Sequence, residues 1–107
     1  MIKVYQIRLT DAEVDAINRD EIFPKQQAFF DRSLDSRFKP EYFEHYTHVA
    51  NVPTNEMEEA FMAMNLWEES GIEVERLGPC SSMSVGDILE LEDGSRYRCA
   101  SWGFTAL

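Results

Sequence analysis

His45 and His48, with Glu41 and Glu44 just ahead of them, are the one stretch where residue types that ligate metals or move protons crowd together. An H-x-x-H pair meets on one face only in a helix, where residues three apart are neighbours. In a strand the two rings point to opposite faces. Val49, Ala50, Asn51 and Val52 carry the segment into Pro53 with strand composition, so the expectation is two ordinary surface or half-buried histidines, with no metal and no cofactor. Cys80 sits in a Gly-Pro-Cys-Ser-Ser turn and Cys99 on a strand, without CxxC spacing, which argues against a structural zinc site. A nucleophilic Cys80 needs a basic neighbour to lower its pKa, and its sequence surroundings supply none. Glycine-rich phosphate motifs are missing, so neither a P-loop nor a dinucleotide fingerprint is present. The chain therefore reads as non-enzymatic. A small metal-dependent hydrolase around His45, His48 and Glu44 stands as an alternative.

The elements that must position any site follow from periodicity. Ile2 to Leu9 alternates with strong β-formers, which predicts a first strand buried on at least one side. Thr10 with Glu13 forms a capping box, predicting a helix from Asp11 with Val14 and Ile17 facing the core. Pro24 opens a second helix through about Leu34, with Phe30 and Leu34 on one face. A second strand is predicted over His45–Val52, ended by Pro53. After it, Thr54 or Asn55 can cap a helix whose Met57, Ala60, Phe61, Met64 and Trp67 recur at core spacing, and Gly71 stops it. Ile72 and Val74 alternate with Glu73 and Glu75 as a short strand.

Charge decides the register of the last hairpin. A two-residue loop of Asp93 and Gly94 would set Leu91 opposite Arg96 and Leu89 opposite Arg98. A three-residue loop of Glu92, Asp93 and Gly94 instead pairs Leu89 with Tyr97 and Glu90 with Arg96, with glycine at the left-handed position. The second register is predicted. The apolar run Trp102–Leu107 is expected to pack against the domain. The order β-α-α-β-α-β-β-β defines a single α+β domain over residues 1–107, with a mostly antiparallel sheet and helices on one face.

The 107 residues include 20 acids and 10 Lys plus Arg, a net charge of -10. The excess is uneven: residues 1–40 balance, whereas between Glu41 and Asp93 Arg76 is the lone base. Such a surface opposes direct nucleic-acid binding, whose affinity comes from cations on phosphates, and opposes adsorption to an anionic membrane. No apolar run approaches the roughly 18 residues of a membrane span, and the N-terminus lacks a signal-peptide core, so a cytoplasmic location is expected.

The C-terminal pattern Ser84-Val85-Gly86-Asp87-Ile88-Leu89, then Asp93-Gly94, Tyr97 and Trp102-Gly103-Phe104, resembles that of small bacteriophage and mobile-element proteins such as YodL-like domains. Val4-Tyr5-Gln6-Ile7 and Tyr42-Phe43-Glu44-His45-Tyr46 are similar to parts of such proteins as well. The resemblance implies a phage or mobile-element origin, hence the host cytoplasm, and one α+β domain. It implies no activity and no site residues. Together these readings predict an acidic accessory protein that binds another protein, with a basic or nucleic-acid-binding host protein as the candidate partner. The alternative within that class is a nucleic-acid-mimicking inhibitor. The partner-binding residues expected are Glu56, Glu58, Glu59, Met62, Leu66 and Glu69, on the exposed side of the third helix.

Overall fold

The computed structural model describes all 107 residues. Strand β1 (Ile2–Gln6) leads into helices α1 (Asp11–Asn18) and α2 (Pro24–Asp31), then a 3₁₀ segment (Pro40–His45) and β2 (Thr47–Val52). Helix α3 (Met57–Asn65), a single turn α4 (Trp67–Ser70) and strands β3 (Glu75–Arg76), β4 (Ile88–Glu90), β5 (Arg96–Cys99) and β6 (Phe104–Ala106) complete the chain. The strands form one sheet in the order β3-β2-β1-β4-β5-β6, with every neighbouring pair antiparallel. This is a single α+β domain. No helix is long and apolar enough to cross a membrane.

Alternation along β1 builds the core. Ile2 and Val4 are wholly buried beside Val52 and Ala50 of β2 and Leu89 of β4. Against them lie Ala60, Ala63 and Met64 of α3, together with Met83 from the loop before β4. The two alanines leave room for close helix–sheet packing, and burying each large aliphatic side chain contributes about 1.5–3 kcal/mol.

The register places Tyr5, Ile88 and Arg98 side by side on the other side of the strands. Tyr5 meets the edge of Phe43 from the 3₁₀ segment, ring centres 5.0 Å apart, and Arg96 lies 3.9 Å over the Phe43 ring. Arg98, only 3% exposed, donates from Nε and Nη2 to the Arg32 carbonyl (3.0 and 2.9 Å) and from Nη1 to Asp35 Oδ1 (2.6 Å). Arg32 is the C-terminal cap of α2, so a guanidinium from β5 satisfies a carbonyl that the helix leaves free. Gly86 completes the joint. Its φ is +100°, and an added Cβ would stand 2.5 Å from that same Arg32 oxygen.

The capping box of α1 forms as predicted, Thr10 Oγ1 accepting from Glu13 N and Glu13 Oε1 from Thr10 N. So does the hairpin register, with Leu89 opposite Tyr97, Glu90 opposite Arg96 and Gly94 at φ +84°. Other expectations need correction. β1 ends at Gln6 rather than Leu9, and α1 buries none of its residues, so Val14 does not face the core. α2 stops at Asp31 and leaves Phe30 and Leu34 exposed. β2 begins at Thr47 because Pro40 starts a 3₁₀ turn that takes in His45, and only Glu75–Arg76 of the next strand pairs. The terminal run does join the sheet as β6, but Trp102 is 94% exposed at the tip of the β5–β6 turn.

Candidate partner-binding surface

Helix α3 begins at Met57 with Glu56 as its N-cap, and the Glu56 side chain makes no capping hydrogen bond. Thr54 stands two residues outside: its Oγ1 accepts from Glu56 N (3.1 Å) and donates to Glu59 Oε1 (3.0 Å). The buried stripe is Ala60, Ala63 and Met64, with Met57 partly buried, rather than the predicted set that included Phe61 and Trp67. Leu66, at φ -134° and ψ 59°, breaks the helix before Trp67. The break resets the angular phase, so Trp67 leaves the stripe and is 59% exposed. Phe61, Met62 and Leu66 are exposed too.

The six predicted contact residues all reach solvent, and they divide by position. Met62 and Leu66 lie one turn apart, with Leu66 N donating to Met62 O at 2.6 Å. Glu56 and Glu59 sit at the first turn, Glu69 lies beyond the break on α4, and Glu58 alone borders a cleft. The carboxylates of Glu56, Glu58, Glu59, Glu68, Glu69, Glu73 and Glu75 form no ion pair. Those of Glu13, Glu21, Asp35, Glu90 and Glu92 all do.

The cleft holds about 470 Å³ and runs between α3 and the far end of the sheet. Glu58 and Phe61 form one wall, Ser84 and Val85 lie at one end, and Cys99 to Ser101 with Gly103 and Phe104 form the other wall. Its volume is within the range of pockets that seat small molecules or side chains. Sequence reasoning missed this site because the two walls lie some forty residues apart in the chain. The available signal was the crowding of Trp102 and Phe104 around Gly103 in a segment with no charged residue.

A polar network holds the loop at the end of the cleft. Gln6, buried on β1, donates from Nε2 to Ser81 O and accepts from Ser81 N, both at 3.0 Å, so its amide substitutes for a ladder residue. Its second Nε2 proton goes to Asp87 Oδ2 (3.0 Å), which also accepts from Ser84 N (3.0 Å). Burial dominates the Asp87 carboxyl and pushes its pKa up to about 6, against the two hydrogen bonds that favour the charge. Tyr46 donates its hydroxyl to the Gly86 carbonyl, and burial raises its pKa. Burial likewise pushes the Cys99 thiol up, while Cys80 lies outside the cleft.

His48 is on β2, its Nε2 2.7 Å from Asn51 Oδ1 and its ring tilted against Tyr5. His45 is in the 3₁₀ segment beside Glu44, 3.2 Å away. The chain matches no protein-family model, no curated protein and no solved structure.

Proposed function

We propose that this domain is a non-enzymatic acidic accessory protein that acts by binding another protein through the α3 surface. The observation that carries the reading is the combination on that surface: exposed Phe61, Met62, Leu66 and Trp67 set among carboxylates that have no cation of their own. Apolar side chains supply contact area, and unpaired charge steers a basic partner. The YodL-like C-terminal pattern supports a phage or mobile-element setting.

The test is capture from a lysate of the source cell, with the protein immobilised, against a Glu56→Lys/Glu58→Lys/Glu59→Lys variant and a Met62→Asp/Leu66→Asp variant. The reading expects a captured protein lost from both variants, with association slowing as salt rises. Equal capture by all three forms at low salt overturns it. The same unpaired carboxylates favour a second reading, a nucleic-acid mimic, which requires in addition that duplex DNA or RNA compete for the captured protein.

A further inference from the structure

Strand β6 is an open edge of the sheet, and it differs from the edge at the other end. β3 is two residues long and carries two charged side chains, Glu75 and Arg76, a usual protection against unwanted pairing. From Cys99 to Leu107, by contrast, there is no charged side chain and no proline. Ala100 N donates to Gly103 O and Leu107 N to Arg96 O, so residues 103, 105 and 107 face β5 in the ladder. Antiparallel alternation then turns the amide and carbonyl groups of Phe104 and Ala106 outward. Phe104 also lines the cleft, as does Cys99 opposite it. A strand added beside Phe104 would therefore send alternate side chains toward the cleft.

We propose that β6 and the adjoining cleft take an extended basic segment of a partner protein, which pairs with β6 as a seventh strand and lays a lysine or arginine side chain along the cleft to Glu58. This rests on the protein-binding reading above and specifies its mode. Charge selects the occupant. Glu58 is the one charged residue of the cleft and has no ion-pair partner, while apolar walls at Phe61, Val85 and Phe104 suit the methylene stem of a long basic side chain. A second copy of this chain does not fit, because its own β6 region brings no cation and its net charge of -10 repels. Main-chain pairing supplies affinity in such strand addition, and the alternate side-chain pockets supply specificity.

The probe is a short fluorescein-labelled peptide alternating arginine with valine, titrated with the full chain by fluorescence anisotropy. Binding is expected for this peptide and not for its glutamate–valine counterpart. Methylating the backbone nitrogens along one edge of the peptide should weaken binding by about tenfold or more, with the protein untouched. Ala106→Pro removes an outward donor without touching the β5 ladder, and should weaken it similarly at an unchanged melting temperature. Glu58→Lys should cost about tenfold at low salt and less at high salt. No binding of the arginine peptide, equal binding of the glutamate peptide, or indifference to both N-methylation and Ala106→Pro overturns the proposal. A dimer in sedimentation that Ala106→Pro dissociates also overturns it, the edge then being taken by a second copy. If the lysate partner is lost on Met62→Asp/Leu66→Asp but retained on Ala106→Pro, the protein-binding reading stands and strand addition fails.

Discussion

Arg98 on β5 and Glu58 across the cleft from Cys99 are both charged groups packed near the same strand, yet the fold treats them in opposite ways. Arg98 is sealed between the sheet and α2, with three of its nitrogens bonded to Arg32 O and Asp35. Glu58 is exposed, pairs with nothing and looks into an open cleft. The difference separates two uses of charge. A buried ion with all three nitrogens hydrogen-bonded fixes how a helix docks, whereas unpaired surface carboxylates add little to the fold and are free to meet a partner.

Breaking the sealed side should have the largest effect. Gly86→Ala combines a left-handed φ with a 2.5 Å approach to the Arg32 carbonyl, and is expected to cost about 3 kcal/mol or more in urea unfolding. Arg98→Met leaves the end of α2 without its donors and should cost about 2–4 kcal/mol, with proteolysis reporting earliest loosening between Arg32 and Phe38.

Asp87 gives a pH-dependent contrast of similar scale. Its folded pKa, about 6, lies above the usual unfolded value, so its contribution to stability is fully present below the unfolded pKa and is lost as pH rises through about 6. The loss is on the order of 2–3 kcal/mol. Because Gln6 and Ser84 both donate to the same oxygen, Asp87→Asn can keep both bonds. This variant should be more stable than wild type at pH 7, with the advantage vanishing toward pH 4. Glu13, Asp31 and Asp35, whose pKa values are lowered by Lys25, by Gln27 and Tyr42, and by Arg98 respectively, produce the opposite slope in both proteins and cancel in the difference. A pH-independent difference would show that the carboxyl is not desolvated.

Smaller effects sharpen the open side. Gly94→Val should cost about 1–2 kcal/mol and Ser95→Ala less than about 0.5, since only Gly94 needs positive φ. Trp102→Ala should move unfolding by less than about 0.5 kcal/mol, because the ring buries almost nothing. A large loss there would mean that the β5–β6 turn packs against the domain.

What could be read from the chain was what neighbouring residues settle among themselves. Thr10 and Glu13 cap α1 across three positions, and the Leu89–Tyr97 register follows from the pattern of charges around one glycine. Of the six predicted contact residues, Glu58, Glu59 and Met62 are exposed because they lie outside the buried stripe of a helix whose existence was legible, while Glu56 and Leu66 cap that helix and Glu69 stands on α4. The phase of that helix after Leu66 was not legible, since propensity gives no reason for the break that turns Trp67 outward. Only the folded chain brings Arg98 to Arg32, 66 residues away, or Gln6 to Ser81, 75 residues away, and only it sets Glu58 across a cleft from Phe104. Local hydrogen bonds and side-chain periodicity act over a turn or a hairpin and leave a mark in the sequence. A buried guanidinium or the wall of a cleft depends on which elements the sheet order makes neighbours, and no short window of residues records that.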